Sequence, residues 1–566
     1  MAKRLPVVQE AEAAEPKHPA YVPRVFRRVY QGFFLLLFLA SLALMTEEGI
    51  RRFPVKLLLE LDPLSALAVL ASSWVLPAGL ALALTVVGLT VLFGRAFCGW
   101  ICPVGTLHHV VSWLTRRWKR GPHHHVNRWR PHFRLKYLLL VGLLAAALAG
   151  TLSIGLLDPL SLAVRSFASA LLPALSSVTA ADGQRPRTFS GAWLTGAVFL
   201  ALLAANRWIA RWWCRALCPL GALLGLAARA AVFRIHVDPA LCNDCHRCVR
   251  DCQGADEPFD RHRVSECHVC LNCVSVCPED AISFRAFAPT ASPNGGVDLP
   301  RRQLVGAALA GAALLPLLRA SSAEASPEAI RPPGALPEDA FLARCVRCGA
   351  CVNACPTSAL QPSLATAGLA GLYTPVLVAR RGWCEPSCTR CGQVCPTGAI
   401  APLTPETKGW TRGGSNGSPV RIGTAFFDWG RCLPWAMAVP CVVCEEVCPT
   451  SPKAIWLEAV DAVRADGRVV RVQRPRLDPD RCVGCGLCEA KCPVASPAAI
   501  RVTRAGESRD PKGGFTLDVT PRETDLVPGR SPERGHAAIT RRGSTGSADP
   551  SSPGQHGLVG MTGRLG

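Results

Sequence analysis

Twenty-eight cysteines stand in a chain of 566 residues, and twenty-four of them fall into six tight quartets. Two come first: Cys242, Cys245, Cys248, Cys252, and Cys267, Cys270, Cys273, Cys277. Four more follow: Cys345, Cys348, Cys351, Cys355; Cys384, Cys388, Cys391, Cys395; Cys432, Cys441, Cys444, Cys448; and Cys482, Cys485, Cys488, Cys492. A CxxCxxC loop lets three thiolates converge on one iron–sulfur cubane, while the fourth cysteine, often followed by proline, reaches the neighbouring one. Soft thiolates match that chemistry. Zinc is the structural alternative, but a zinc ribbon separates its two CxxC pairs by many residues and needs no proline. Five of the six quartets end in Cys-Pro, the exception being Cys252, which precedes Gln253. A disulfide framework leaves the tight spacing unexplained. Cys242-Asn-Asp-Cys245-His246 also matches a haem-attachment motif, yet both cysteines are needed by their quartet. Six 4Fe–4S clusters are the predicted cofactors.

The four remaining cysteines form a repeated motif, Cys98-Gly-Trp-Ile-Cys102-Pro103-Val-Gly105 and Cys214-Arg-Ala-Leu-Cys218-Pro219-Leu-Gly221. Cys98, Cys102, Cys214 and Cys218 are candidate cofactor-binding residues of a further redox centre. Three readings stand: a jointly held seventh cluster, a thiol pair relaying electrons, or small buried residues at helix ends.

The elements that position these residues are of two kinds. Charge-free apolar runs near residues 29–45, 74–93, 137–157 and 189–205 can each cross a hydrocarbon core at roughly 1.5 Å per residue. The net charge of +21 sits largely beside these runs, as in Arg116, Arg117, Lys119, Arg120, Arg128, Arg130, Arg134 and Lys136, which fits membrane orientation and not nucleic-acid binding. By that rule the tail, residues 95–136 and residues 207–234 face the cytoplasm. The runs form two repeated helix hairpins, because Leu61-Asp62-Pro63-Leu64-Ser65 is matched by Leu157-Asp158-Pro159-Leu160-Ser161. The predicted fold class is therefore an α-helical membrane bundle plus α+β 4Fe–4S modules of ferredoxin type.

The domains read as follows: 1–28 a basic cytoplasmic tail, 29–235 the four-helix transmembrane domain, 236–290 a cytoplasmic two-cluster module, and 291–299 a linker. Residues 300–325 form an export signal or fifth span, 326–505 a periplasmic four-cluster module, and 506–566 a disordered tail. In the signal, Arg301 and Arg302 precede an Ala/Gly/Leu core and the small-x-small site Ala323-Glu324-Ala325, which predicts the twin-arginine translocase as a partner during export. After the last cysteine of the exported quartets comes Ala-Ile or Ala-Leu, ending at Leu360, Ile400, Ile455 and Ile500, which predicts a short apolar strand over each cluster.

Two other groups have chemistry to offer. His108, His109 and His123 to His125 could bind metal or haem, but a basic inner loop makes them solvated neighbours of lipid headgroups. Asp62 and Asp158 could take protons from a quinol at the outer surface, or simply cap short helices.

The first half, with its paired CxxxCP motifs and inner two-cluster module, resembles the NapH type of membrane ferredoxin protein of periplasmic nitrate reductase systems. The second half, a twin-arginine signal followed by four quartets, resembles the NapG type, so the chain looks like a fusion of the two. The resemblance implies electron transfer from quinol, in the inner membrane, to a periplasmic reductase or cytochrome acceptor. It also implies crossed ligation. Cys242, Cys245 and Cys248 would share a cluster with Cys277, and Cys267, Cys270 and Cys273 with Cys252. In the exported half, similarity to four-cluster ferredoxin subunits implies that the first quartet exchanges its last cysteine with the fourth, and the second with the third. The membrane half also resembles proteins supporting assembly of copper oxidases and nitrous oxide reductase, a NosR/CcoG-like accessory role that is the alternative function. No terminal reductase site of its own is recognisable.

Overall fold

The computed structural model describes residues 21–118, 129–179, 187–250, 252–254, 256–259, 262–287, 299–320, 327–410, 418–494 and 497–510. Most of the basic tail, His123 to His125, nearly all of the linker, the Ala323-Glu324-Ala325 site and the tail beyond residue 510 lie outside the described residues.

Two helices among the described residues are long and apolar enough to cross a membrane: the Val25–Ala43 stretch of α1 (Tyr21–Ala43), and α5 (Pro131–Leu148). The other two expected spans are shorter. The 74–93 run loses its first residues to a turn, because Trp74 takes a left-handed φ of 55° and Pro77 leads into a 3-10 segment, leaving α3 (Ala78–Phe93). Left-handed Gly191 (φ 68°) sets the start of α7 (Ala192–Arg207). The third run ends early at Leu148, since Gly150 (φ 86°) turns the chain and residues 154–156 form a separate 3-10 turn.

The segments expected as outer loops contain helices α2 (Pro63–Ser73) and α6 (Pro159–Leu175). Both start with an aspartate cap and a proline in the first turn, where a missing N–H costs nothing. Asp62 accepts from Leu64 N at 3.0 Å and Ser65 N at 3.2 Å, and Asp158 from Ser161 N at 2.7 Å. Helices α4 (Pro103–Trp118) and α8 (Pro219–Ala230) begin immediately after Cys102 and Cys218. Edge-on ring contacts, Phe38 to Phe167 at 5.6 Å and Phe167 to Phe199 at 6.0 Å, tie α1, α6 and α7 into one core.

The segment expected as an export signal or fifth span contains a 20-residue helix, α9 (Arg301–Ala320), laid along α5. Two glycines let the backbones touch: a Cβ on Gly311 would lie 2.1 Å from the Gly142 carbonyl oxygen, and one on Gly142 would lie 3.1 Å from the carbonyl oxygen of Ala307.

The cysteine quartets lie in three two-quartet units built on one plan, in which the segment before the first quartet pairs antiparallel with the segment after the second. In the first unit β1 (Phe233–Val237) pairs with β2 (Ile282–Ala286), Ile235 opposite Phe284. In the second, Ala335 bridges Ile400, with β3 (Leu360–Pro362) and β4 (Pro375–Leu377) paired between the quartets. In the third, β5 (Thr424–Phe427) pairs with β8 (Ile500–Thr503), and a longer hairpin of β6 (Ile455–Val463) and β7 (Val469–Leu477) projects between. Leu360, Ile455 and Ile500 fall on strands as the repeat predicts, and Ile400 on the bridge; all four are buried.

Candidate functional site

None of the twenty-eight cysteines is in a disulfide. In the first unit one cavity of about 370 Å³, open mouth included, is lined by Cys242, Cys245, Cys248 and Cys277. Cys267, Cys270 and Cys273 interact electrostatically with Cys252. This is the crossed arrangement expected for the inner pair, and Cys252 takes its place without a following proline.

In the second half the structure corrects the expected pairing. Cys345, Cys348 and Cys351 face Cys395, and Cys384, Cys388 and Cys391 face Cys355. Cys482, Cys485 and Cys488 share a cavity of about 340 Å³ with Cys448, while Cys432 lies near Cys441 and Cys492. The first quartet thus exchanges with the second and the third with the fourth. The reason is the strand plan: Ala335 with Ile400, and β5 with β8, fold consecutive quartets onto each other before distant ones can meet. Four of the eight residues between Cys432 and Cys441 form a short helix, Leu433–Ala436, which Cys432 precedes as its cap residue. The longer gap between Cys384 and Cys388 likewise leaves both thiols beside Cys391.

Among the described residues no three His, Cys, Asp or Glu side chains are arranged to hold a metal ion as they stand. Sulfurs gathered round one zinc at bonds of about 2.3 Å need a tighter closure than a cubane does. The donor chemistry, four soft sulfurs per set in apolar surroundings, fits a 4Fe–4S cluster. Burial pushes the free thiols up, Cys345 to about 11 and Cys485 to about 12. Binding iron therefore displaces protons. A buried cation lies against a quartet sulfur: the Lys408 ammonium donates to Cys384 Sγ at 3.4 Å and to the carbonyls of Glu385 and Cys388 at 2.6 and 2.9 Å. No spacing rule points to Lys408.

The two CxxxCP motifs come together where the helix repeats meet. In each, the second cysteine's N–H reaches five residues back, Cys102 N to Phe97 O and Cys218 N to Trp213 O, both at 3.0 Å. A turn of that width is a common feature of functional sites in helices. Pro103 and Pro219 then open the next helix. The glycine three residues after each second cysteine packs on the arginine of the other repeat: a Cβ on Gly105 would lie 3.6 Å from Arg211 Nη1, and one on Gly221 would lie 2.9 Å from Arg95 Nη2. Arg211 Nη1 donates to Cys98 O at 3.1 Å. Both arginines escape a motif search confined to cysteines. Each nevertheless stands three residues before the first cysteine of its motif, as RxxCxxxCPxG.

The first quartet unit and the unit holding Cys345 dock at opposite ends of the helices. Near the start of α1, Arg27 Nη1 donates to Cys270 O at 2.7 Å, and near its end Leu42 O accepts from Asn353 Nδ2 at 2.9 Å. Fifteen helical residues separate these contacts by about 22 Å. On the first unit's side, Lys136 pairs with Glu266, which also accepts from Tyr137 Oη at 3.0 Å, and Trp100 Nε1 donates to Val269 O at 2.9 Å. At the other end, Arg165 Nη1 donates to Arg347 O at 3.1 Å while its guanidinium lies 4.5 Å from the Tyr373 ring centroid. A Cβ on Gly155 would come 1.8 Å from Val346 O, so the backbone of the Cys345 loop rests directly on the bundle.

The remaining candidates are structural neighbours of this frame. His108 is buried against Asn206, its Nδ1 2.6 Å from Asn206 Nδ2, and not in a solvated loop. Asp62 and Asp158 are both buried helix caps, and their carboxyl groups lie within hydrogen-bonding reach of each other.

Comparison with known proteins finds two family models, each described as a 4Fe–4S binding domain. One matches residues 75–121 and 189–237, around the CxxxCP motifs, and the other residues 342–361 and 475–496. The methylamine utilization ferredoxin-type protein MauM of Methylorubrum extorquens is 41% identical over 213 residues, 36% of this chain and 88% of that protein. Ferredoxin-type protein NapG of Escherichia coli is 38% identical over 184 residues, 32% of this chain and 73% of that protein. Regulatory protein NosR of Pseudomonas aeruginosa is 34% identical over 188 residues, covering 32% of this chain but 24% of its own length. No solved structure matches.

Proposed function

The chain belongs to the family of ferredoxin-type electron-transfer proteins that includes MauM and NapG, and from that premise we propose that it is a membrane electron conduit. It draws on the quinol pool and serves a periplasmic acceptor, a reductase of nitrate-reductase-like type or a cytochrome. The first half acts as a NapH-type membrane partner fused to a NapG-type exported module. When bound, 4Fe–4S clusters supply one-electron transfer. The residues that would hold them are the six crossed sets, and Cys98, Cys102, Cys214 and Cys218 serve a further redox centre. Lys408 and the backbone amides around each loop orient and shield the sulfurs.

The observation that carries this reading is the docking of cluster-bearing units at both ends of the same helices. The chain leaves the first unit after Phe287 and enters the exported half at Pro327. Helix α9, at about 30 Å, has the length to make that crossing as a fifth span that keeps both halves in one molecule. Arg301 and Arg302 then start on the cytoplasmic side, where a twin-arginine translocase reads them.

Inner membranes containing the chain, treated anaerobically with duroquinol, test it. Bleaching of the visible iron–sulfur absorption, to an extent approaching that given by dithionite, is expected. Full bleaching by dithionite with none by duroquinol would refute quinol as donor. In a deletion strain, normal reductase content with lost flux supports the conduit, whereas an immature reductase refutes it in favour of an assembly role.

A further inference from the structure

Resting on the reading of the chain as an iron–sulfur electron carrier, we infer that Cys98, Cys102, Cys214 and Cys218 together hold one further iron–sulfur cluster at the junction of the helix repeats, with Arg95 and Arg211 as its reciprocal charge partners. Each repeat supplies two cysteines and one arginine. The four thiols interact with one another across the junction. Gly105 and Gly221, packed on the opposite repeat's guanidinium, make the arrangement near-symmetric.

Charge is the argument for a bound anion. Arg95, Arg211 and Lys136 are at most 1% exposed, and the carboxylate among them, Glu266, pairs with Lys136 and lies 3.7 Å from Arg95. Nε and Nη2 of both Arg95 and Arg211 meet no acceptor, and neither does either ring nitrogen of His268, itself 2% exposed beside Gly99. Buried guanidinium donors without acceptors are destabilising unless an anion faces them. Neutral thiols or a pair of disulfides supply no such charge. Four thiolates round an iron–sulfur core carry a net double negative charge when oxidised, which matches two guanidiniums, and guanidinium N–H groups beside the sulfurs favour the more negative reduced form.

The position suits a carrier. The junction packs against backbone of the unit that holds Cys252, Cys267, Cys270 and Cys273: Arg95 Nη1 donates to Ser265 O at 2.6 Å, Arg27 to Cys270 O at 2.7 Å and Trp100 to Val269 O at 2.9 Å.

Metal and acid-labile sulfide analysis of the full chain, purified anaerobically in detergent, tests this. Six quartets account for about 24 irons per chain and a seventh cluster raises the count to about 26 or about 28, according to its nuclearity. A Cys98→Ser/Cys214→Ser variant should fall back to about 24 with the other clusters' spin count unchanged. Arg95→Met and Arg211→Met should each lower the midpoint potential of the cluster that the serine variant removes, and lysine at either position should restore it. Wild-type protein with about 24 irons overturns the inference whatever the variants do, and with quinol-driven bleaching intact it leaves the conduit standing. Stoichiometric zinc, or a disulfide among these four cysteines found by mass spectrometry, overturns it equally.

Discussion

Replacing Cys395 by serine separates the two ways in which the four quartets of the second half can exchange ligands. Cys395 follows the second quartet's loop, but its thiol faces Cys345, Cys348 and Cys351. The structure therefore predicts that Cys395→Ser weakens the cluster of the first loop and spares that of its own. One cluster of six quartet clusters is affected, a loss of about four irons per chain. Alkylation of the native protein followed by mass spectrometry should find Cys345, Cys348 and Cys351 modified, with Cys384, Cys388 and Cys391 protected. Cys355→Ser should give the mirror image, exposing Cys384, Cys388 and Cys391. Because serine can stand in as an oxygen ligand, labelling is read over time, as a ratio between loops within one sample. If Cys355→Ser instead exposes Cys482, Cys485 and Cys488, the consecutive pairing is wrong and with it the strand plan that explains it.

Two further outcomes follow from contacts away from the cysteines. Burial raises the Glu338 carboxyl, but Arg331, with Nη2 at 2.6 Å, and Arg509, with Nη1 at 2.7 Å, outweigh it and hold the group at about 2 against an ordinary 4.5. A depressed carboxyl stabilises the fold in full above its unfolded value and loses that contribution as pH falls through the folded one, here a loss of about 3 kcal/mol between about pH 4.5 and 2. Urea unfolding of Glu338→Gln should show a gap from wild type that is flat from about pH 5.5 to 7.5 and narrows towards pH 4; a gap that changes within the neutral range contradicts the ion-pair account. In α9, Gly306 has open space where a Cβ would go, whereas Gly311 has the Gly142 carbonyl at 2.1 Å. Gly306→Ala should raise the thermal-aggregation midpoint in detergent, by helix propensity worth about 1 kcal/mol, and Gly311→Ala should lower it through about 1–3 kcal/mol of overpacking. Equal midpoints would mean that α9 does not lie against α5.

The sequence by itself determined whatever depends on a few consecutive residues. Three thiols in a CxxCxxC loop converge because the loop is short, so five trios, with Cys384, Cys388 and Cys391 only slightly stretched, were legible as ligand sets. The sixth, Cys432, Cys441 and Cys444, has eight residues between its first two cysteines and was read from its Cys-Pro ending and its place in the repeat. Asp62 and Asp158 start helices because an aspartate before proline satisfies the first N–H groups locally. The duplication was visible as matched motifs. Tertiary structure alone decided which fourth cysteine completes which trio, since that depends on strands as far apart as Ala335 and Ile400, or Thr424 and Thr503. It also decided where the apolar runs stop, because Trp74 and Gly150 turn the chain inside stretches whose hydropathy is continuous. Arg95 and Arg211 show the limit most clearly: the types and spacing are in the chain, but each serves the other repeat's loop, and a reciprocity of that kind exists only once the two halves have packed.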